Sequence, residues 1–298
     1  MNSSSNPIPA TVTGEPKTGS RWGQDRRLEF IDFRLQWDGR LNRSDLTDFF
    51  GISVPQASLD IARYQEVRPG NMEYDRSSRV YVATPAFSPV FPVSHPSRYL
   101  NELLAAATGV LPRDATFVGW WPPVGIAPMP AHTLDVAVLT ALLRAMRDRT
   151  GLRIRYQSTA FCDPQSRAMT PHALTFDGLR WHVRAFCHLE SRFRDFPITR
   201  MSKVEGEEAA GLGAAEDAEW QTVVTLVLAP NPALGKQRAR VVELDYGMIE
   251  GELHLSCRQA LLFHTLRQLG LCNGSAAKPE DLPLVLVNRD EVESLLPA

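Results

Sequence analysis

Hydrophobic spacing at the head of the chain follows a helical period. Leu28, Ile31 and Leu35 fall on one face of a helix expected over residues 21–37. Asn42 is placed to cap a second, short helix carrying Leu46, Phe49 and Phe50, and Gly51 stops it. Ser53-Val54-Pro55-Gln56 fits a capping box, with Ser at the cap, Pro in the first turn and Gln at the third helical position. The third helix then runs to about residue 66, with Ala57, Ile61 and Tyr64 facing inward, and Gly70 ends it. Residues 72–82 read as a hairpin turning at Asp75-Arg76-Ser77-Ser78. Helix, short helix, tight turn, helix and hairpin make a winged helix-turn-helix over residues 20–84.

Residues 85–130 form a proline-rich connector with one short helix over 97–107. Phe87, Phe91, Trp120 and Trp121 give the connector surface to pack on its neighbours. Thr133 is the expected cap of a helix reaching residue 149, striped by Leu134, Val138, Ala141, Leu142 and Ala145. The period then changes to two. Leu152, Ile154 and Tyr156 alternate with Arg153, Arg155 and Gln157, and residues 168–176 meet 179–188 across an Asp177-Gly178 hairpin turn. In the latter strand Trp181, Val183, Ala185 and Cys187 share a core face, opposite Arg180, His182, Arg184, Phe186 and His188. With a further strand over 193–198, residues 131–205 predict a small curved sheet or barrel. A Gly/Ala/Glu-rich linker over 206–219 leads to residues 220–298, which predict a small α/β sandwich. That domain has no site pattern, and Leu261, Leu262, Leu266 and Leu269 suggest packing or dimerisation. Residues 1–19 are rich in Ser, Asn, Pro, Thr and Gly and predict disorder. The class is α+β.

Composition refines this picture in one respect. The net charge of −2 over 298 residues averages a segregated distribution. Residues 20–91 carry 10 basic and 10 acidic side chains, residues 130–205 carry 12 and 7, and residues 206–298 carry 7 and 14. The middle is cationic and the tail anionic. Nearly all the basic residues are arginines, whose planar forks suit phosphate and carboxylate; the lysines are Lys17, Lys203, Lys236 and Lys278. No apolar run reaches the roughly 18 residues of a membrane span, and the N-terminus lacks a secretory pattern, so the expected compartment is the cytoplasm. Four dispersed cysteines with no C-x-x-C read as free thiols rather than a zinc site.

The candidate chemistry is recognition. On the third helix Gln56 and Ser58 lie where base edges come within reach, and Ser53 is also left available to DNA. Arg63 and the wing residues Arg76 and Arg79 are placed for phosphates. The competing reading of this segment is a helical module for protein contacts, and Leu59 fits either a thymine-methyl contact or the core. Residues 156–200 concentrate arginines and histidines on short strands. Asp163, Asp177, Glu190, Asp195 and Glu205 sit singly there, without the paired carboxylates or activated nucleophile of a hydrolase. Such a surface suits an anion receptor, needing no cofactor and no metal.

The phrases Ile154-Arg155-Tyr156-Gln157-Ser158, then 167–174, then 178–187 and 193–201, resemble a WYL domain in order and spacing over residues 130–205. The name tripeptide stands as Trp181-His182-Val183, with Tyr replaced by His and Leu by Val. The whole layout is similar to regulators, often repressors, encoded beside bacterial phage-defence systems. The resemblance implies an Sm-like β-barrel, homodimers and a pocket for a nucleic-acid fragment or nucleotide-like effector. It maps Tyr156, Ser158, Arg167, His172, Arg194 and Arg200 onto pocket positions. Arg184 joins them on the same sheet, and Phe193 or Tyr156 can stack on a base. For Arg153, Arg155 and Arg180 a solvated sheet face competes. For Arg200 the competitor is an ion pair or dimer contact, and for His172 a structural histidine.

The expected function is a ligand-responsive transcriptional regulator. A homodimer would bind an inverted-repeat operator of double-stranded DNA, with no membrane partner. A nucleic-acid-sensing adaptor without operator binding is the first alternative, and a nucleotide hydrolase the second.

Overall fold

The computed structural model describes residues 19–91, 95–128, 130, 132–272 and 282–296. Two compact units divide the chain at residues 129 and 130.

In the first unit, α1 (Gly19–Asp38), α2 (Arg43–Phe50) and α3 (Val54–Val67) precede the hairpin β2 (Met72–Asp75) and β3 (Val80–Ala83). A two-residue strand, β1 (Arg40–Leu41), pairs with β3, giving the sheet order β1-β3-β2. The helix ends follow local chemistry. The Asp45 side chain accepts from the Asn42 amide at 2.7 Å to complete a capping box, and Gly51 ends α2 at φ +64°, a conformation other residues rarely adopt. Ser53 caps α3, but Gln56 does not return the bond; its amide donates to Asp60 instead. Phe30, Phe33, Leu46, Ala57, Ile61 and Tyr64 form the core. The proline-rich stretch packs with the winged helix itself. α4 (Pro96–Ala107) places Leu103 in that core, and Phe117 and Val118 are buried there too. The disorder expected over 1–19 lies outside the described residues except for Gly19, which begins α1.

The second unit opens with α5 (Val136–Asp148), capped by Asp135 rather than Thr133; its carboxylate accepts from the Ala137 and Val138 amides. A five-stranded antiparallel sheet follows: β4 (Gly151–Tyr156), β5 (Gln165–Phe176), β6 (Trp181–Cys187), β7 (Arg192–Pro197) and β8 (Met201–Glu208). Its order, β7-β6-β5-β4-β8, puts the last strand beside the first, yet the edges β7 and β8 are not paired, so the barrel is not closed. Val138, Leu142 and Ala145 of α5 pack with Ile154, Met169, Val183, Ala185 and Cys187.

Three expectations are corrected here. The Asp-Gly turn is a four-residue loop. Asp177 accepts from the Leu179 and Arg180 amides, and Gly178 sits at φ +87°. Trp181 is not core: it is 46% exposed and leans on Phe176 at the hairpin end. The first residues of the expected linker, 206–208, are the end of the edge strand β8. Its acidic residues face arginines of β4, with Glu205 2.9 Å from Arg155 and Glu208 paired to Arg153. Arg153 and Arg155 therefore lie on a solvated sheet face.

The chain then forms α6 (Ala218–Gln221), β9 (Val223–Pro230), α7 (Gly235–Asp245), β10 (Leu253–Arg258), α8 (Leu262–Gln268), β11 (Leu284–Leu286) and α9 (Arg289–Glu293). The sheet order is β10-β9-β11, with Leu226, Leu228, Val242, Leu262, Leu266 and Val292 in the core.

Candidate nucleic-acid face and anion pocket

Two buried polar clamps fix α3 on α1. The Tyr64 hydroxyl donates to Asp32 at 2.5 Å and accepts from the Asn71 amide at 2.9 Å; Asp32 also accepts from the Val90 and Phe91 amides. Burial, then the Asp32 bond, push the Tyr64 phenol well above its usual range, so it stays a donor. One turn away, Asp60 takes two bonds from Arg27, at 2.6 and 3.2 Å. With its inner face locked, α3 turns the rest outward. Leu59 is 65% exposed, which settles it as a surface residue. Ser58 donates to the Val54 carbonyl, leaving its lone pairs available, and the Gln56 amide spends one of its two N–H donors on Asp60, which leaves the other N–H and its oxygen. Arg63 is exposed and 2.7 Å from Glu66.

At the wing, Asp75 takes bonds from Ser77 and Ser78 that hold its carboxyl down to about 2 and shape the turn. Arg76 and Arg79 are both exposed there, Arg79 at φ +57°. Exposed Arg43, in the first turn of α2 and 3.0 Å from the Tyr81 hydroxyl, was absent from the sequence-based set. Its position at the N-terminus of the helix that precedes α3 was the available signal.

In the second unit, five predicted residues converge on one small cavity of about 100 Å³: Tyr156, Ser158, Arg167, Arg194 and Arg200. The bond from the Gln157 amide to the Arg200 carbonyl draws the β4 end and the β7–β8 turn together. Sequence reasoning missed Glu190, which also lines this cavity and bonds to Arg167 at 3.0 Å and to Arg194 and Arg192. Burial raises its carboxyl, but Arg194 and Arg192 outweigh that and hold it below the ordinary range.

The other three predicted residues sit elsewhere. Phe193 and Arg184 line a larger cavity of about 700 Å³, whose walls include Phe263 and His264 from the C-terminal part. Arg184 is not a free anion receptor. Its guanidinium is 4% exposed and engages Asp217 at 2.8 and 3.0 Å, Asp195 at 3.2 Å and Glu219 at 2.6 Å. His172 lies at a β-bulge of β5, which aims its Nε2 at Asp217, 2.9 Å away. Its pKa is lowered by burial despite Asp217, so the neutral ring donates through Nε2. Asp217, at 1% exposure, thus joins the central sheet to α6, which it also caps. It stood in the supposed linker; an Asp at the cap position of a short helix was the signal.

A histidine pair, buried His182 and half-buried His264, adds to this junction. His182 and His264 face each other at 5.1 Å, with Asp177 3.7 Å from His182. Burial, opposed by Asp177 and aided by His264, pushes His182 down to about 4. An unfolded imidazole titrates near about 6.5. Between those values the unfolded chain binds a proton that the folded one refuses, so stability is lost as pH falls. We expect a loss on the order of 2–3 kcal/mol between about pH 6.5 and 4, which urea denaturation at several pH values measures. In His182→Phe that slope flattens; an unchanged slope would place its origin elsewhere.

Comparison with known proteins agrees with this architecture. Residues 23–105 match the winged helix-turn-helix domain of the BrxR transcriptional regulator, 137–205 match the WYL domain, and 223–292 match the BrxR C-terminal dimerization domain. The DNA-binding transcriptional repressor CapW of Escherichia coli strain KTE188 is 46% identical over 94% of each chain. The chain belongs to the CapW family. The Pseudomonas aeruginosa CapW is 45% identical over 99% of each chain, and the Stenotrophomonas maltophilia CapW 46% over 92% of each. The solved structure of PafBC from Arthrobacter aurescens is 17% identical. This chain covers about half of it (51%) at a TM-score of 0.24, too low to carry an argument. Among the described residues no helix is long and apolar enough to cross a membrane, and no cluster of three or more His, Cys, Asp or Glu could hold a metal.

Proposed function

We propose that this chain is a ligand-responsive, DNA-binding transcriptional repressor. It acts in the cytoplasm, without turnover, as a homodimer on an inverted-repeat operator. The observation that carries this reading is the setting of α3. Its inner face is bound to α1 by the Tyr64–Asp32 and Asp60–Arg27 clamps, while Ser53, Ser58, Leu59 and Arg63 are left on its outer side. The near-full-length likeness to CapW repressors supports it, and the C-terminal match supports dimerisation. The cavity of Tyr156, Ser158, Arg167, Arg194 and Arg200 receives an anionic effector, a nucleic-acid fragment or nucleotide, that shifts the DNA-binding equilibrium. Control of a phage-defence operon is the setting that the sequence resemblance suggests.

Titration of labelled operator tests the first part. Gln56→Ala is expected to relax discrimination at one base pair by about 1–3 kcal/mol. Arg79→Ala is expected to weaken all sequences alike and to flatten the salt dependence by about one phosphate contact. Parent-like binding by both variants would remove α3 and the wing as the reading surface.

A further inference from the structure

We infer that Glu190 is an internal occupant of the effector pocket: its carboxylate sits where a phosphate of the effector binds, and the effector must displace it. The inference rests on the reading that the Arg167–Arg194–Arg200 cavity receives an anion.

One carboxylate here serves three guanidinium groups. It lies 3.0 Å from Arg167, 2.5 Å from Arg194 and 2.9 Å from Arg192. The cavity's other carboxylate, Asp195, is engaged by Arg184 at 3.2 Å. Arg167, Arg194 and Arg200 line the cavity with two carboxylates, Glu190 and Asp195, so positive charge is left over. Arg200 makes no ion pair among the described residues, and the buried Nε of Arg167 has no hydrogen-bond partner there. Arg167 is 7% exposed, so bulk water does not satisfy that donor.

A carboxylate offers two oxygens and a single charge. A phosphate monoester offers three oxygens and nearly two charges, and matches the arginine fork equally well. The exchange of Glu190 for phosphate thus favours the phosphate, while a monoanion such as acetate or chloride gains nothing over the residue already there. Glu190 would set both a threshold and a charge filter. Its position suits this role. It stands in the short β6–β7 turn next to Ser191 at φ +50°, and its side chain is 26% exposed, so it has an outward path to water.

The test is calorimetric titration of the full chain with inorganic pyrophosphate and with a 5′-phosphorylated thymidine dinucleotide. The unphosphorylated dinucleotide is the control. Glu190→Gln keeps the shape and removes the charge; it should bind the phosphorylated probes at least about tenfold tighter than the parent, a difference of about 1.4 kcal/mol. Glu190→Asp, which keeps the charge on a shorter arm, should fall between. Arg194→Ala should bind neither probe. If Glu190→Gln melts lower than the parent, saturating pyrophosphate should restore it, because phosphate takes over the same partners. Parent binding that Arg194→Ala abolishes but Glu190→Gln leaves unchanged or weakens would keep the pocket and overturn the role of Glu190. No binding by parent or Glu190→Gln would overturn both.

Discussion

Arg184→Ala is expected to destabilise the second unit by about 3–5 kcal/mol, the usual cost of removing one partner from a buried charge cluster. The guanidinium is 4% exposed and holds three carboxylates, one of which, Asp217, is itself only 1% exposed. Without it Asp217 keeps only the neutral His172 and the Trp220 amide, and Asp195, whose carboxyl burial already raises, loses its bond to Arg184. Both acids would then take up protons on folding, so the variant should recover part of its stability as the pH falls, against the trend of the parent. Arg184→Lys keeps a charge but loses the two-bond fork to Asp217, and should lie between. Urea denaturation of the full chain measures all three. A loss below about 1 kcal/mol in Arg184→Ala would show that the cluster is not what joins the central sheet to α6.

Leu59→Glu is the second large effect, expected in binding rather than in folding. The side chain is 65% exposed on the outer side of α3, so the substitution leaves the core untouched. Stability should stay within about 0.5 kcal/mol of the parent, as for other exposed sites. Operator affinity should nevertheless fall by roughly a hundredfold or more. A carboxylate carried into a groove lined by phosphates must be desolvated beside like charge, and like-charge juxtaposition costs several kcal/mol. Parent-like affinity in this variant would mean that the outer side of α3 does not meet DNA.

The parts of this molecule that were legible in the sequence are those fixed by local chemistry. Asn42 with Asp45, Gly51 and Ser53 mark helix ends within three or four residues of themselves, and the inward triad Ala57, Ile61 and Tyr64 follows from the helical period. The parts that were not legible depend on partners distant in the chain. Residues 206–208, the end of β8, read as linker because their acidic residues resemble a solvated run; the arginine of β4 that pairs with Glu208 lies some fifty residues earlier. Asp217 looks like a loop residue until Arg184, 33 positions away, is folded against it. Trp181 obeys the alternation of β6, yet it stands at the hairpin end, where the sheet face runs out into solvent. Glu190 is the instructive exception. Arg192 and Arg194 lie two and four residues away across a tight turn, so its pairing was local and open to inference.

The central claim is operator binding through α3, and footprinting of the DNA upstream of the gene tests it most directly. The parent should protect two half-sites related by two-fold symmetry and about one helical turn, roughly 34–36 Å, apart or a multiple of that. Leu59→Glu should leave the same DNA unprotected at equal protein concentration. No protected inverted repeat with the parent, or an unchanged footprint with Leu59→Glu, would contradict the account.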